Sequence, residues 1–347
     1  DDGNPGIRNF TWKGSGNFQF DLTPTATFEA DASMNTNHAE LTGTGDAIFT
    51  GGGRFNGNNK HTFDGTLTIE GGSTATARGE EHFGDTNAAT NTVVLDSGTW
   101  AGYGHAGSSA NNYPNPINVE SGGGTLAPRG TWSGPTAVAQ RLKWSGVISG
   151  TGDLVVSQSA AQNAGNPSAE FTGPAANTLS GLVTIDGDGQ TAMLRLNKPD
   201  GVDALAGDAL VTDQGTLALL ASNQINDGST VTVEPGGLLD LNLVIEEESG
   251  QVNHGTYSDE IESLTLNSDS GTYGMVDTGD GGMLTTSAFS IDGVDQPLGM
   301  YDSGTYPDFI TGSGGIDVVP EPASLMLLAL GGLAALRRRR CGKISRG

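Results

Sequence analysis

Several small groups in this 347-residue sequence have residue types that could do chemistry. Glu80-Glu81-His82 with Asp85 sets three carboxylates and an imidazole within six residues, a ligand set that suits a divalent ion. In so polar a stretch the same residues also read as an exposed loop. Asp186-Gly-Asp-Gly189 begins like a calcium loop, but the EF-hand pattern wants Gly at its sixth position and Glu at its twelfth. Here Thr191 and Asn197 stand there, so the pattern fails and weak Ca²⁺ binding is the most it implies. Arg195 and Lys198 lie near Asp200 and Asp203. They are the nearest approach to what a polysaccharide lyase needs, a base to take the proton α to a carboxylate beside cation-binding acids. A solvated turn would look the same. A glycosidase needs two facing carboxylates, and the acids are so numerous that candidate pairs carry no information.

The remaining signals are weaker. Trp12, Trp100, Trp132 and Trp144 could stack on sugar rings, or serve as core and cap residues. The five histidines, His38, His61, His82, His105 and His254, are scattered. There is no Gly-x-Ser-x-Gly elbow, no His-Glu-x-x-His, and no Gly-rich segment ending in a phosphate-binding Lys. Gly122-Gly-Gly124 lies between strand-like runs and reads as a turn. The expectation is a protein with no catalytic site, no resident metal and no cofactor.

Composition narrows the class. Glycine supplies 55 residues, far above the usual share of about 7%. Charged residues make up 16%, below the usual ~25%. Such a chain turns tightly and builds long helices poorly. Aromatics are 6%, so a core must come from Val, Leu, Ile, Ala and Thr. Residues 1–319 hold 10 basic and 39 acidic side chains, a net of −29. So acidic a body repels nucleic acid and anionic headgroups, stays soluble and attracts divalent cations. Its only cysteine is Cys341, so no disulfide can staple the body. The chain opens Asp1-Asp2-Gly3 without Met, and an export signal upstream is expected.

The last thirty residues differ from the rest. Pro320-Glu321-Pro322 precedes an uncharged run, residues 323–336, that includes Ala323, Leu325, Leu328, Leu330, Leu333 and Leu336. Arg337, Arg338, Arg339 and Arg340 follow. As a helix the run spans about 21 Å at ~1.5 Å per residue, short of a ~30 Å hydrocarbon core. Snorkelling arginines and local thinning make up part of the deficit. The cationic cluster stays on the cytoplasmic side, which puts the bulk of the chain outside. Proline pair, apolar run with Gly331-Gly332 and arginine cluster, in that order, resemble the PEP-CTERM sorting signal. The resemblance implies export, processing at or near Pro320, Glu321 and Pro322 by an exosortase-type enzyme, and loss of the helix. The extension Cys341 to Gly347 departs from a minimal tail.

Short β-rich runs in the chain end in Gly, Asn or Asp. Thr66-Leu-Thr-Ile-Glu70, Thr92-Val-Val-Leu-Asp96, Ile117-Asn-Val-Glu120, Leu182-Val-Thr-Ile-Asp186 and Ser229-Thr-Val-Thr-Val-Glu234 alternate with the period-2 signal of half-buried strands. The phrase strand, acid, Gly, Thr-Leu recurs near Gly positions 71, 98, 122, 150, 187, 215, 236 and 271, spaced about as solenoid coils are. Trp144 to Leu154, Asn177 to Ile185, Gly215-Thr-Leu217, Asn223 to Asp227 and Gly236 to Leu241 resemble the autotransporter-associated β-strand repeat. That resemblance implies a parallel β-helix with an extracellular role.

The expected architecture is therefore all-β: a single-stranded right-handed parallel β-helix (β-solenoid) with a short C-terminal transmembrane α-helix. Residues 1–301 form the repeat region, with the best repeat match at 140–245 and an irregular acidic stretch from about 246 that forms the last coils and a polar cap. Residues 302–319 are a spacer, 320–341 the sorting and anchor segment, and 342–347 a cytoplasmic tail. The expected role is structural or adhesive, at the cell surface or in the extracellular matrix. Expected partners are an exosortase-type processing enzyme, exopolysaccharide or other envelope components, and the membrane through the C-terminal helix. The alternatives are a glycan-active β-helix enzyme, lyase or hydrolase, and a carbohydrate- or calcium-binding surface module.

Overall fold

The structure, a computed structural model, describes residues 18–21, 26–29, 34–36, 39–42, 44–52, 54–57, 63–78, 91–103, 110–129, 141–157, 168–187, 191–242, 244–246 and 252–320. Every regular element among them is a β-strand. The runs that alternate in sequence alternate in burial: Leu67–Glu70, Val93–Asp96 and Val183–Asp186 each bury every second residue. A strand buried on one face only must cover that face. Here it does so by curling the chain, so that each strand pairs in parallel with one a coil later. The offset runs from 20 residues (Ala47 with Leu67) to 37 (Leu238 with Met275).

The fold is a parallel β-solenoid with three stacked sheets. The first sheet joins Ala26–Glu29, Ala47–Thr50, Leu67–Glu70, Val93–Asp96, Ile117–Val119, Ile148–Gly150 and Thr178–Leu179. The second is the longest and runs from Met34–Thr36 to Gly315–Val318. The third joins Ala110–Tyr113, Arg141–Trp144, Ser168–Phe171, Ala192–Leu196, Gly215–Leu219, Leu238–Asp240, Met275–Asp277 and Ile310–Thr311. Coils from about residue 93 to 196 visit the three in turn; among the described residues, earlier coils have strands in the first and second and later coils in the second and third. Strands from the first 130 residues enter the same sheets as those of the repeat match at 140–245.

The core is a set of in-register columns. In the second sheet Ala75, Trp100, Leu126, Val156, Ile185, Val211, Val233 and Leu266 stack one above another, all fully buried. In the third, Leu142, Ala169, Leu194, Leu217, Leu239, Val276 and Ile310 do the same. Apolar burial at about 25 cal/mol per Å² makes these columns the main source of stability. Trp100, Tyr113 and Trp144 pack together inside, with ring centroids 5.3, 5.6 and 6.1 Å apart.

Glycine serves the turns in two ways. Gly71 and Gly150 have positive φ, +60° and +115°, where the chain leaves a strand. Gly98 starts a strand where a Cβ would collide with the carbonyl of Ile69.

The stretch from about 246, expected as irregular last coils and a cap, carries the two longest strands. Ser258–Leu266 and Met283–Ile291 pair in parallel from Ser258 with Met283 to Leu266 with Ile291. Residues 302–319, expected as a spacer, hold Ile310–Thr311 in the third sheet and Gly315–Val318 in the second. Ile310 and Ile316 are fully buried, so this stretch is core.

Candidate functional site

The aspartates that crowd the turns have a common use, which reasoning from sequence missed. Asp46 Oδ1 accepts the amide of Thr66 at 2.7 Å, Asp153 Oδ1 that of Leu182 at 2.9 Å, and Asp208 Oδ1 that of Thr230 at 2.8 Å. In each case the acid sits one coil before its donor. A parallel rung leaves amides at its ends without sheet partners, and a short carboxylate side chain satisfies them. The signal in sequence is an Asp one or two residues before an apolar strand.

Three members of the lyase-like set are tied to neighbouring coils. Lys198 is 2% exposed and its Nζ donates to the carbonyls of Thr172 and Ala175, each at 2.7 Å. Burial pulls its pKa down to about 8. Asp200 Oδ1 accepts from the amide of Ser222 at 3.0 Å, and Asp203 Oδ2 from Asn226 Nδ2 at 2.9 Å. Arg195 lies on the outer face of the third sheet, in register with Glu170 on one side and Ala218 on the other. Asp240 and Asp277 continue that row. Burial pushes Asp240 up to about 6, helped by Asp277 and opposed by the amide of Asn242 and by Arg195. Each acid of that pair closes a turn, Asp240 onto Asn242 N at 2.8 Å and Asp277 onto Gly279 N at 2.9 Å.

One corner of the solenoid is sealed by buried polar side chains. Asn115 Nδ2 donates to Asn91 O at 3.0 Å, and Asn177 Nδ2 to Ala204 O at 2.8 Å, each one coil away. Further along, Gln224 Oε1 accepts from Lys198 N at 2.7 Å, and Asp259 Oδ2 accepts from Gln224 N at 2.7 Å and Ile225 N at 3.2 Å. Burial raises the Asp259 pKa to about 7 against those hydrogen bonds.

The other candidates fall as follows. Trp100 and Trp144 are core residues; Trp12 and Trp132 lie outside the described residues. Asp186 Oδ1 accepts from Thr212 Oγ1 at 3.1 Å, which ties it to the next coil; Asp188 and Gly189 are outside. Glu80, Glu81, His82 and Asp85 are also outside. Among the described residues no group of three or more His, Cys, Asp or Glu is placed to hold a metal ion.

The remaining feature is where the chain leaves the fold. Gly315–Val318 lies between two strands, parallel to Met283–Thr286 and antiparallel to Gly299–Tyr301. Val318 is 3% exposed, and Val319 N donates to Thr286 O at 2.9 Å. Pro320 is the last described residue. Glu321, Pro322, the apolar run with Ala323, Leu325, Leu328, Leu330, Leu333 and Leu336, and Arg337 to Arg340 lie beyond it.

The fold thus defines an all-β solenoid whose last core strand runs straight into a separate terminal segment. That segment matches the family model for the PEP-CTERM protein-sorting motif over residues 318–340. No curated protein and no solved structure matches the chain. The motif marks a protein that is exported, anchored at a membrane before processing, and sorted through an exosortase-type enzyme.

Proposed function

We propose that this chain is a non-enzymatic surface or matrix protein: a rigid acidic rod, exported and released or attached through its C-terminal signal, with a structural or adhesive role. The carrying observation is the use of its polar groups. Of Arg195, Lys198, Asp200 and Asp203, the set closest to a lyase site, the last three each hold an atom of the next or previous coil. Groups used in that way serve the bonding between coils. In this reading residues 323–336 cross the membrane as a helix and Arg337 to Arg340 hold it from the cytoplasmic side. Cutting near Pro320 to Pro322 leaves the solenoid, with its autotransporter-like repeat, as the working molecule. Its partners would be exopolysaccharide or other envelope components.

The test has two arms. The purified chain is incubated with acidic and neutral polysaccharides and the products are sized; no turnover is expected. Turnover that disappears in Asp240→Asn, the buried carboxylate with the raised pKa, would establish the glycan-active enzyme instead. In the native host, deletion of the solenoid is expected to weaken cell cohesion or matrix retention. An unchanged envelope would remove the structural role.

A further inference from the structure

The match to the sorting motif begins at residue 318, inside the fold rather than after it. Val318 ends the strand Gly315–Val318 and is buried, and Val319 N donates to Thr286 O at 2.9 Å. The first two residues of the motif are therefore bonded to the core, and no unbonded residue separates the sheet from Pro320. A partner that reads a peptide in extended form binds it largely through main-chain hydrogen bonds. On Gly315–Val318 both edges are taken. Met283 to Thr286 pair along one, and Gly299 to Tyr301 along the other.

The second edge is closed by a strap that departs from the rule of the fold. The coils pair in parallel, but Gly299–Tyr301 runs antiparallel, with Gly299 opposite Val318, Met300 opposite Asp317 and Tyr301 opposite Ile316. The strap is held at both ends. Val294 pairs with Ile291 in a tight turn, and Gln296 N donates to Phe289 O at 2.7 Å. Tyr301 packs against Phe289 and Tyr306, with ring centroids 5.4 and 5.7 Å away, and its Oη donates to Pro297 O at 2.5 Å. Ser303 Oγ donates to Gly312 O at 2.9 Å. Glycine lets the last strand sit close, since a Cβ on Gly315 would lie 2.7 Å from Tyr301 O. An open sheet edge invites pairing with other chains, and covering it is reason enough for a cap. This cap covers the one strand that is continuous with the motif.

We propose that the strap Gly299–Tyr301 and the Thr286 carbonyl set the rate of processing: the exosortase-type enzyme takes the motif only after Val318 and Val319 leave the sheet, so the folded end withholds its own cleavage segment. The proposal rests on the reading that the chain is cut near Pro320 to Pro322. Tyr301 and Thr286 are positioning residues. They act through the pairing of Val318 and Val319 and not on the bond that is cut.

The test follows removal of the tail from full chains in the native host, by pulse labelling and mass spectrometry of the C-terminus. One variant inserts Gly-Ser-Gly-Ser between Val319 and Pro320, which gives the motif up to about 14 Å of free chain. A second, Tyr301→Ala, loosens the strap. A third locks it with Met300→Cys and Asp317→Cys in a Cys341→Ser chain. Directly paired antiparallel residues lie about 4.5–5.5 Å apart, within reach of a disulfide. The insertion and Tyr301→Ala are each expected to speed tail removal roughly tenfold, by lowering the cost of opening. The crosslink is expected to slow it by a similar factor, with recovery on reduction. In chains that carry the insertion, Tyr301→Ala and the crosslink are expected to change nothing. Tail removal at one rate with and without the insertion would mean that the cut precedes docking of the last strand, and would overturn the proposal while leaving processing standing. Equal acceleration by Tyr301→Ala with and without the insertion would show general loosening of the fold, and would overturn it as well. A tail retained in every chain would overturn both the proposal and the processing reading.

Discussion

Residues 1–198 and 199–320 share one solenoid but solve its charge differently. The first part holds 10 basic and 18 acidic side chains; the second holds 21 acidic side chains and no Lys or Arg. In the first part the buried corner is sealed by neutral amides, Asn91, Asn115 and Asn177. In the second the same kind of duty falls to Asp259, with Lys198 and Gln224 at the junction. An amide satisfies a buried amide N–H at any pH. A buried carboxylate does so while paying a desolvation penalty that changes with its protonation. One backbone requirement is thus met by pH-indifferent amides in one part and by a titrating carboxylate in the other.

That contrast can be tested by breaking each part in its own terms. Trp144→Ala empties the largest packed cluster of the first part and is expected to lose about 3–5 kcal/mol, equally at acid and neutral pH, in urea unfolding. Asp259→Ala leaves the amides of Gln224, Ile225 and Glu260 without their acceptor. Buried groups so stranded cost about 1–3 kcal/mol each before relaxation, so a loss of about 2–4 kcal/mol is expected, with a flatter pH profile. Asp153→Ala removes one exposed tie to the next coil. It should cost about 0.5–1.5 kcal/mol, the net worth of one hydrogen bond, and a loss above that range would mean the ties are cooperative.

A further test is the pH profile of the unmodified chain. Asp259 and Asp240 have folded pKa values raised to about 7 and about 6 from 3.8. Between 3.8 and those values the folded state binds more protons than the unfolded one, so stability falls as pH rises through that window. The Lys198 pKa is lowered to about 8 from 10.5. Between 8 and 10.5 the unfolded state binds more protons, so stability recovers. The melting temperature is expected to decline from about pH 4 to pH 7. Asn115→Ala is expected to leave that slope unchanged, and a slope abolished by it would contradict the contrast.

The strands themselves were legible in sequence, because alternation is local. Leu67–Glu70 and Val183–Asp186 bury the residues their pattern marks. So were the coil spacing and the sorting tail. What could not be seen locally was pairing at long range. Ile310 and Ile316 sit in Gly- and Ser-rich surroundings that read as linker, and their burial depends on Val276 and Leu284, 34 and 32 residues earlier. Lys198 looked like a turn lysine because the carbonyls that hold it, of Thr172 and Ala175, belong to the previous coil. The turn aspartates were visible as a composition and not as a device, since each donor lies a coil away.

The most direct test of the account is fractionation of the native host with mass spectrometry of the mature C-terminus. The account predicts an exported solenoid whose chain ends near Pro320 to Pro322, with Arg337 to Arg340 absent. An intact tail on a cytoplasmic protein would contradict it.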